Sequence, residues 1–201
     1  QTRIGEIPAG WKIDRFGRHT EIVSGQVDPR EEPYSSMIHV GPENISSGTG
    51  KLSAEKTAKE VGLISGKYLF TDMHILYSKI RPYLAKAATA NFTGVCSADM
   101  YPISVNGTML KEFLLAFMLS DHFTHQTIAF QERTGIPKIN REDLNSIWVL
   151  IPPMDEQREI AAILSAHDAT IRSLQDEAAR LRAVKHGLMQ QLLSGKVRAS
   201  P

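Results

Sequence analysis

The chain has 201 residues, 42% of them hydrophobic, and a formal net charge of +1, which suits one ordinary domain with an extension and crowds two. Its single cysteine, Cys96, cannot form an internal disulfide, and with no Cys-x-x-Cys or Cys/His cluster a metal site is not expected, so a reducing cytoplasm is the expected compartment. No apolar run approaches a membrane span; residues 113–119 and 147–151 are core-sized.

Nothing at the start has the form of a signal peptide, and the first residue is Gln1, as expected where residues including the initiator methionine lay upstream. Basic and acidic residues balance over residues 1–150, 16 against 16, so any argument for DNA must rest on local clusters of cations. Residues 11–16, 36–40, 67–70, 74–78 and 100–105 are short β-branched or aromatic stretches bounded by Gly, Pro, Asn or Asp, and they predict strands. Between the first two lies a candidate binding loop carrying Ser24, Gly25, Gln26, Arg30 and Tyr34. Ser47-Gly48-Thr49-Gly50-Lys51 imitates a phosphate loop but has Ile45 in place of the first glycine and Leu52 in place of Ser or Thr, so it predicts a plain turn.

Two basic segments follow. Ser78-Lys79-Ile80-Arg81-Pro82-Tyr83-Leu84-Ala85-Lys86 sets Lys79, Arg81 and Lys86 beside an aromatic, and strand alternation would send Lys79 and Arg81 to one face. Arg133-Thr134-Gly135-Ile136-Pro137-Lys138-Ile139-Asn140-Arg141 is a loop stiffened by Gly and Pro. Thr108 is the predicted cap of a helix running to about residue 130, burying Phe113, Leu114, Phe117, Met118 and Ile128. Asn140 caps a shorter turn, and residues 147–151 form a final strand stopped by Pro152-Pro153.

Beyond that hinge the sequence reads as one helix, capped by Asp155 and ended by Gly195. Steps of four and three from Ile160 reach Leu164, His167, Ile171, Leu174, Ala178, Leu181, Lys185, Leu188 and Leu192, a coiled-coil seam. His167 and Lys185, the polar members, are read as devices that set register or partner orientation. About 40 residues make a rod of ~60 Å, roughly twice the width of a head this size, so most of the seam requires another helix. The expected fold is α+β: a mixed α/β head over residues 1–153, one long C-terminal coiled-coil helix over 154–195, and a tail over 196–201.

Equipment for catalysis on DNA is not found. No lysine has a carboxylate two residues before it, as an acid-x-Lys nuclease requires, and Ile151-Pro152-Pro153-Met154 lacks the Asp or Asn and the aromatic that hold a base's amino group. His122 and His125 lie three apart with no third ligand in sight.

At the same residues the chain resembles the specificity subunit of type I restriction-modification systems from end to end. The resemblance is carried by Gly5-Glu6-Ile7-Pro8-Ala9-Gly10-Trp11, by Ile75-Leu76-Tyr77-Ser78-Lys79-Ile80-Arg81-Pro82-Tyr83-Leu84, and by Cys96-Ser97-Ala98-Asp99-Met100-Tyr101-Pro102-Ile103. It continues through Gly135-Ile136-Pro137-Lys138-Ile139-Asn140, Leu150-Ile151-Pro152-Pro153, Glu156-Gln157-Arg158-Glu159-Ile160-Ala161 and Gly187-Leu188-Met189-Gln190-Gln191-Leu192-Leu193-Ser194-Gly195-Lys196. The resemblance implies a DNA target recognition domain followed by one spacer helix, half of a full-sized family member. It also implies pairing with a second specificity unit, as a homodimer or within a longer chain, and a two-part inverted DNA target. Its expected partners are double-stranded DNA, the modification (methyltransferase) subunit and the restriction (motor and nuclease) subunit. S-adenosylmethionine and ATP belong to those subunits, and the chain itself has neither cofactor nor catalytic role. The alternative is a coiled-coil assembly protein or antagonist that imitates the specificity subunit without binding DNA.

Overall fold

The computed structural model describes residues 7–130 and 137–198. The chain divides into two compact units, Gln1–Glu159 and Ile160–Pro201.

The first unit is built on three small sheets. Lys12–Arg15 (β1) pairs antiparallel with Trp148–Ile151 (β9), Lys12 opposite Ile151 and Arg15 opposite Trp148. Arg15 lays its guanidinium 3.6 Å over the Trp148 ring and donates to the Ser146 carbonyl, closing this ribbon with a stacked cation. The four-stranded sheet runs Thr20–Ile22 (β2), Met100–Val105 (β8), Ile75–Ser78 (β5) and Ala87–Thr89 (β6), antiparallel throughout. All four residues of β5 are buried, as an inner strand covered on both faces requires. The third sheet sets Gly94–Cys96 (β7) between His39–Val40 (β3), which is parallel to it, and Tyr68–Phe70 (β4), which is antiparallel.

Between these sheets lies one core cluster of Val40, Ile45, Phe70, Leu76, Ala88, Ala90, Cys96 and Met100. A second group of rings gathers on Phe123, with Phe16, Tyr77 and Phe117 centred 5.9, 5.8 and 5.9 Å away and the Tyr77 ring nearly perpendicular at 87°.

Helix Ala58–Val61 (α1) opens on a capping box, the Thr57 hydroxyl accepting from the Glu60 amide and the Glu60 carboxylate from the Thr57 amide. The helix expected from Thr108 to about residue 130 is two helices, Lys111–Leu119 (α2) and Asp121–Ile128 (α3). Ser120 divides them: its backbone is extended (φ −76°, ψ 154°) and its hydroxyl caps the Phe123 amide. Thr108 is not the cap of α2; Leu110 holds that position, and Thr108 bonds instead to Asn106 and His19. Ile128, expected inside, is 39% exposed; the face that α3 buries carries Phe123 and Thr127 instead. Asn140 caps Arg141–Ser146 (α4) by accepting from the Asp143 amide at 2.8 Å, as the sequence predicts.

Met154–Leu193 (α5) is a single helix of 40 residues. Its first turn belongs to the head because Gln157, fully buried, accepts from the Leu110 amide at 2.8 Å and donates to the carbonyls of Thr108 and Pro152 at 3.1 and 3.0 Å. The unit boundary accordingly lies at Glu159, past the two prolines. Within the second unit Leu164, Ile171, Leu174, Leu181, Leu188 and Leu192 are between 44% and 65% exposed. His167 and Lys185 are exposed as well, while Ile160 and Ala178 are half-buried. Ile163 and Val184, at 53% each, precede Leu164 and Lys185 and widen the apolar stripe beyond the expected seam. Gly195, at φ 72°, takes the left-handed turn that stops the helix.

Candidate nucleic-acid interface

Residues 79–81 of the first basic segment and residues 137–139 of the second, about 60 residues apart in sequence, lie side by side. Beyond Ser78 the chain leaves β5 but remains paired: the Lys79 carbonyl accepts from the Ile139 amide at 2.9 Å, the Arg81 amide donates to the Pro137 carbonyl at 2.7 Å, and Ile80 faces Lys138 across an antiparallel bridge. Residues 137–141 thus run back along residues 79–81. The shared face expected for Lys79 and Arg81 does not form, because the strand ends and Arg81 turns left-handed at φ 49°. Ala85, at φ 45°, closes the turn around Pro82–Leu84 in the same conformation. Two non-glycine residues at positive φ are costly, about 1 kcal/mol or more each. They are held by the Leu84-to-Arg81 and Ala85-to-Pro82 bonds of 2.9 and 3.0 Å. The turn leaves Arg81 exposed and Tyr83, which is not among the expected contacts, 50% exposed two residues on.

Behind these cations stand two tyrosines. Lys79 places its ammonium 5.6 Å from the centre of the Tyr101 ring. Arg141 lies 4.9 Å from the same ring and 5.5 Å from that of Tyr68. Tyr101 is buried to 5% exposure, and burial raises its phenol above the ordinary value while Arg141 opposes that rise. Arg141 also joins the cluster to the first candidate loop, donating to the carbonyls of Ile22 at 3.0 Å and Val23 at 2.6 Å, immediately before Ser24.

The far side of that loop is anchored too. Val27 and Lys67 exchange backbone hydrogen bonds of 2.8 and 3.0 Å, and Gln26 packs onto Gly66 so closely that a Cβ there would stand 2.5 Å from the Gln26 side-chain oxygen. Lys67 itself is 4% exposed, its ammonium donating to the carbonyl and hydroxyl of Ser65 at 2.7 and 2.8 Å. Burial lowers its pKa, and the ammonium is satisfied by its own neighbour Ser65.

Lys79, Arg81, Lys138, Arg141 and the loop bearing Ser24, Gly25 and Gln26 are therefore linked by direct contacts. The remaining candidates are placed differently. Lys86 donates to the Pro42 carbonyl at 2.7 Å. Arg30 is exposed and paired with Asp28 at 2.6 Å, which draws that carboxyl down to about 2 through the Arg30 hydrogen bonds. Tyr34 opens the short 3-10 turn Tyr34–Ser36 that follows the cis bond of Glu32-Pro33. Arg133 and Thr134 lie outside the described residues. Among the described residues no group of three His, Cys, Asp or Glu is placed to hold a metal ion, and no helix is long and apolar enough to cross a membrane.

The chain thus combines an α+β head, in which cations are backed by tyrosines, with a 40-residue helix. The chain belongs to the type I restriction modification DNA specificity domain family, whose profile matches residues 31–183. It is 37% identical over 200 residues to the type I restriction enzyme EcoDI specificity subunit of Escherichia coli, covering 98% of this chain and 44% of that protein. The putative type I restriction enzyme MjaX specificity subunit of Methanocaldococcus jannaschii is 28% identical over 203 residues, with 98% and 46% covered. The chain thus spans about half the length of the curated relatives it matches. Among solved structures, the HsdS subunit from Thermoanaerobacter tengcongensis superposes with a TM-score of 0.70 at 24% identity, over 92% of this chain and 49% of that one. The type I restriction-modification S subunit from M. genitalium gives 0.63 at 17%, over 96% and 49%. At these identities the two structures speak for the fold, and they share the α+β head and long helix expected from the sequence.

Proposed function

We propose that this chain reads one half of a two-part DNA target for a type I restriction-modification assembly and, through α5, joins a second specificity unit. The observation that carries this reading is the meeting of residues 22–27, 79–81 and 137–141 on one tyrosine-backed cationic surface. Lys79, Arg81 and Lys138 are the contacts to phosphate or base edges, with Ser24 and Gln26 on the adjoining loop. Lys86, Arg30, Tyr34, Arg133 and Thr134 are further proposed contacts, outside that cluster.

The exposed stripe from Leu164 to Leu192 supports helix pairing, since leaving that much apolar area in water costs free energy at about 25 cal/mol per Å². The second helix belongs to another copy of this chain or to the other half of a longer one. A modification subunit, using S-adenosylmethionine, and a restriction subunit, using ATP, then assemble on the paired units in the cytoplasm. This chain contributes recognition and spacing, and no chemical step. The test is to co-express it with a modification subunit and read the adenines methylated across a genome. A two-part methylated sequence that disappears when this chain is omitted is expected; methylation with the same sequence choice in its absence refutes the proposal.

A further inference from the structure

Strand β2 ends at a proline on its neighbour. The register that sets Ile22 opposite Ile103 brings Val23 opposite Pro102, and the Val23 amide donates to the Pro102 carbonyl at 2.9 Å. In an antiparallel ladder such a pair exchanges two bonds, the second running from the partner's N–H back to the first residue's carbonyl. Pro102 has no N–H, so the Val23 carbonyl loses its ladder donor. Arg141 supplies the replacement: one guanidinium nitrogen donates to Val23 at 2.6 Å and another to the Ile22 carbonyl at 3.0 Å.

We infer that Arg141 is a positioning residue for DNA recognition, fastening the end of β2 so that the 24–26 loop leaves the sheet at a set place beside Lys79 and Arg81. The inference rests on the DNA-reading function proposed above and gives Arg141 a part other than direct contact. Both ends of its attachment are specified. Its backbone opens α4 behind the Asn140 cap, and its guanidinium lies over the Tyr101 ring at 4.9 Å and over the Tyr68 ring at 5.5 Å. A planar fork satisfies two carbonyls while stacking on aromatic faces; a lysine ammonium, compact and strongly hydrated, does not reproduce that combination. At its other end the loop is tied by the Val27–Lys67 bridge and the Gln26–Gly66 contact, leaving residues 24 and 25 as the span whose placement Arg141 decides.

The test uses the full chain assembled with its modification subunit, a duplex carrying the methylated sequence and a scrambled duplex, with affinity measured across a range of salt. Arg141→Gln and Arg141→Lys are each expected to lower the preference for the target about tenfold, the loss typical of one misplaced specific contact, while the slope of log affinity against log salt stays at the wild-type value. Tyr68→Leu, which removes one stacking face and keeps every cation, moves the preference in the same direction. Arg141 acting as a phosphate contact gives the opposite pattern. Arg141→Gln would then reduce the slope by about one with preference unchanged, and Arg141→Lys would restore affinity; that result overturns the inference. Unchanged preference in both Arg141→Lys and Tyr68→Leu overturns it equally, and these variants decide the matter should Arg141→Gln fail to fold. Wild-type protein showing no preference for its methylated sequence would refute the DNA-reading function itself, a result visible before any variant is made.

Discussion

The side-chain oxygen of Gln157 accepts a hydrogen bond from the backbone amide of Leu110, 47 residues earlier, at 2.8 Å, and ties the first turn of α5 to the start of α2. Its nitrogen bonds Thr108 and Pro152, so one buried amide satisfies three backbone groups. Gln157→Leu is expected to destabilise the head by about 2–4 kcal/mol, because it strands one donor and two acceptors away from water. Gln157→Glu is expected to cost at least as much, since a carboxylate keeps the Leu110 bond but cannot donate to either carbonyl. Urea unfolding followed by tryptophan fluorescence measures both, and a Gln157→Leu midpoint equal to wild type contradicts the assignment.

Arg81 and Lys138 are the cations chosen to report on DNA. Each changed to Ala is expected to weaken binding and, where the contact is to phosphate, to reduce the magnitude of the salt slope by about one; a base contact instead appears as relaxed choice at one position. Unaltered affinity and an unaltered methylation pattern in both variants would remove them from the interface.

A carboxylate in the apolar stripe of α5 should separate paired helices without disturbing the head. Leu174, 65% exposed, and Leu181, 59% exposed, tolerate Asp in the single chain but not in a helix–helix seam. Leu174→Asp with Leu181→Asp is expected to convert a dimer to a monomer in sedimentation, with the head's unfolding midpoint unchanged. A monomeric wild-type chain would instead direct the seam to the other half of a longer protein.

Cys96 lies inside the core at 0% exposure, and burial pushes its thiol up to about 12. A thiolate is the reactive form, so a disulfide reagent at pH 8 is expected to modify the native protein far more slowly than protein in urea. Equal rates in both states would mean the β4–β7–β3 sheet opens readily.

His39 is 7% exposed, and its pKa is lowered from the ordinary 6.5, chiefly by burial and further by Lys67, with Glu43 opposing. Burial lowers His74 and His122 in the same direction. A histidine held neutral contributes stability that is complete above about pH 6.5 and is lost as pH falls below it, because the unfolded chain then takes up protons more readily. Urea midpoints are expected to decline from pH 7 to pH 5, less steeply in His39→Gln; identical pH profiles for the two proteins would exclude His39.

What was legible in the sequence follows from what local pattern carries. The helix from Met154 to Leu193 was legible because 40 residues repeat one apolar spacing, and the strands at 68–70, 75–78, 100–105 and 148–151 because Tyr, Ile, Leu and Val cluster there. Three-residue strands such as Ala87–Thr89 and Gly94–Cys96 were not, since small residues over so short a run show neither alternation nor β preference. Ser120 escaped notice because Phe117, Met118 and Phe123 keep up an apolar rhythm across it, while the break depends on one hydroxyl reaching one amide. Within the site the cations were visible and their company was not. Tyr101-Pro102 is a visible pair in the sequence, but Tyr101 as a stacking partner and Pro102 as the neighbour at which β2 ends depend on pairing over long sequence separations.

The antiparallel pairing of Lys12 with Ile151 brings the point where the chain comes into the head next to the point where it leaves for the helix. A body whose two ends adjoin is entered and left at one place, so its interior can be altered or exchanged as a piece without rerouting the chain on either side.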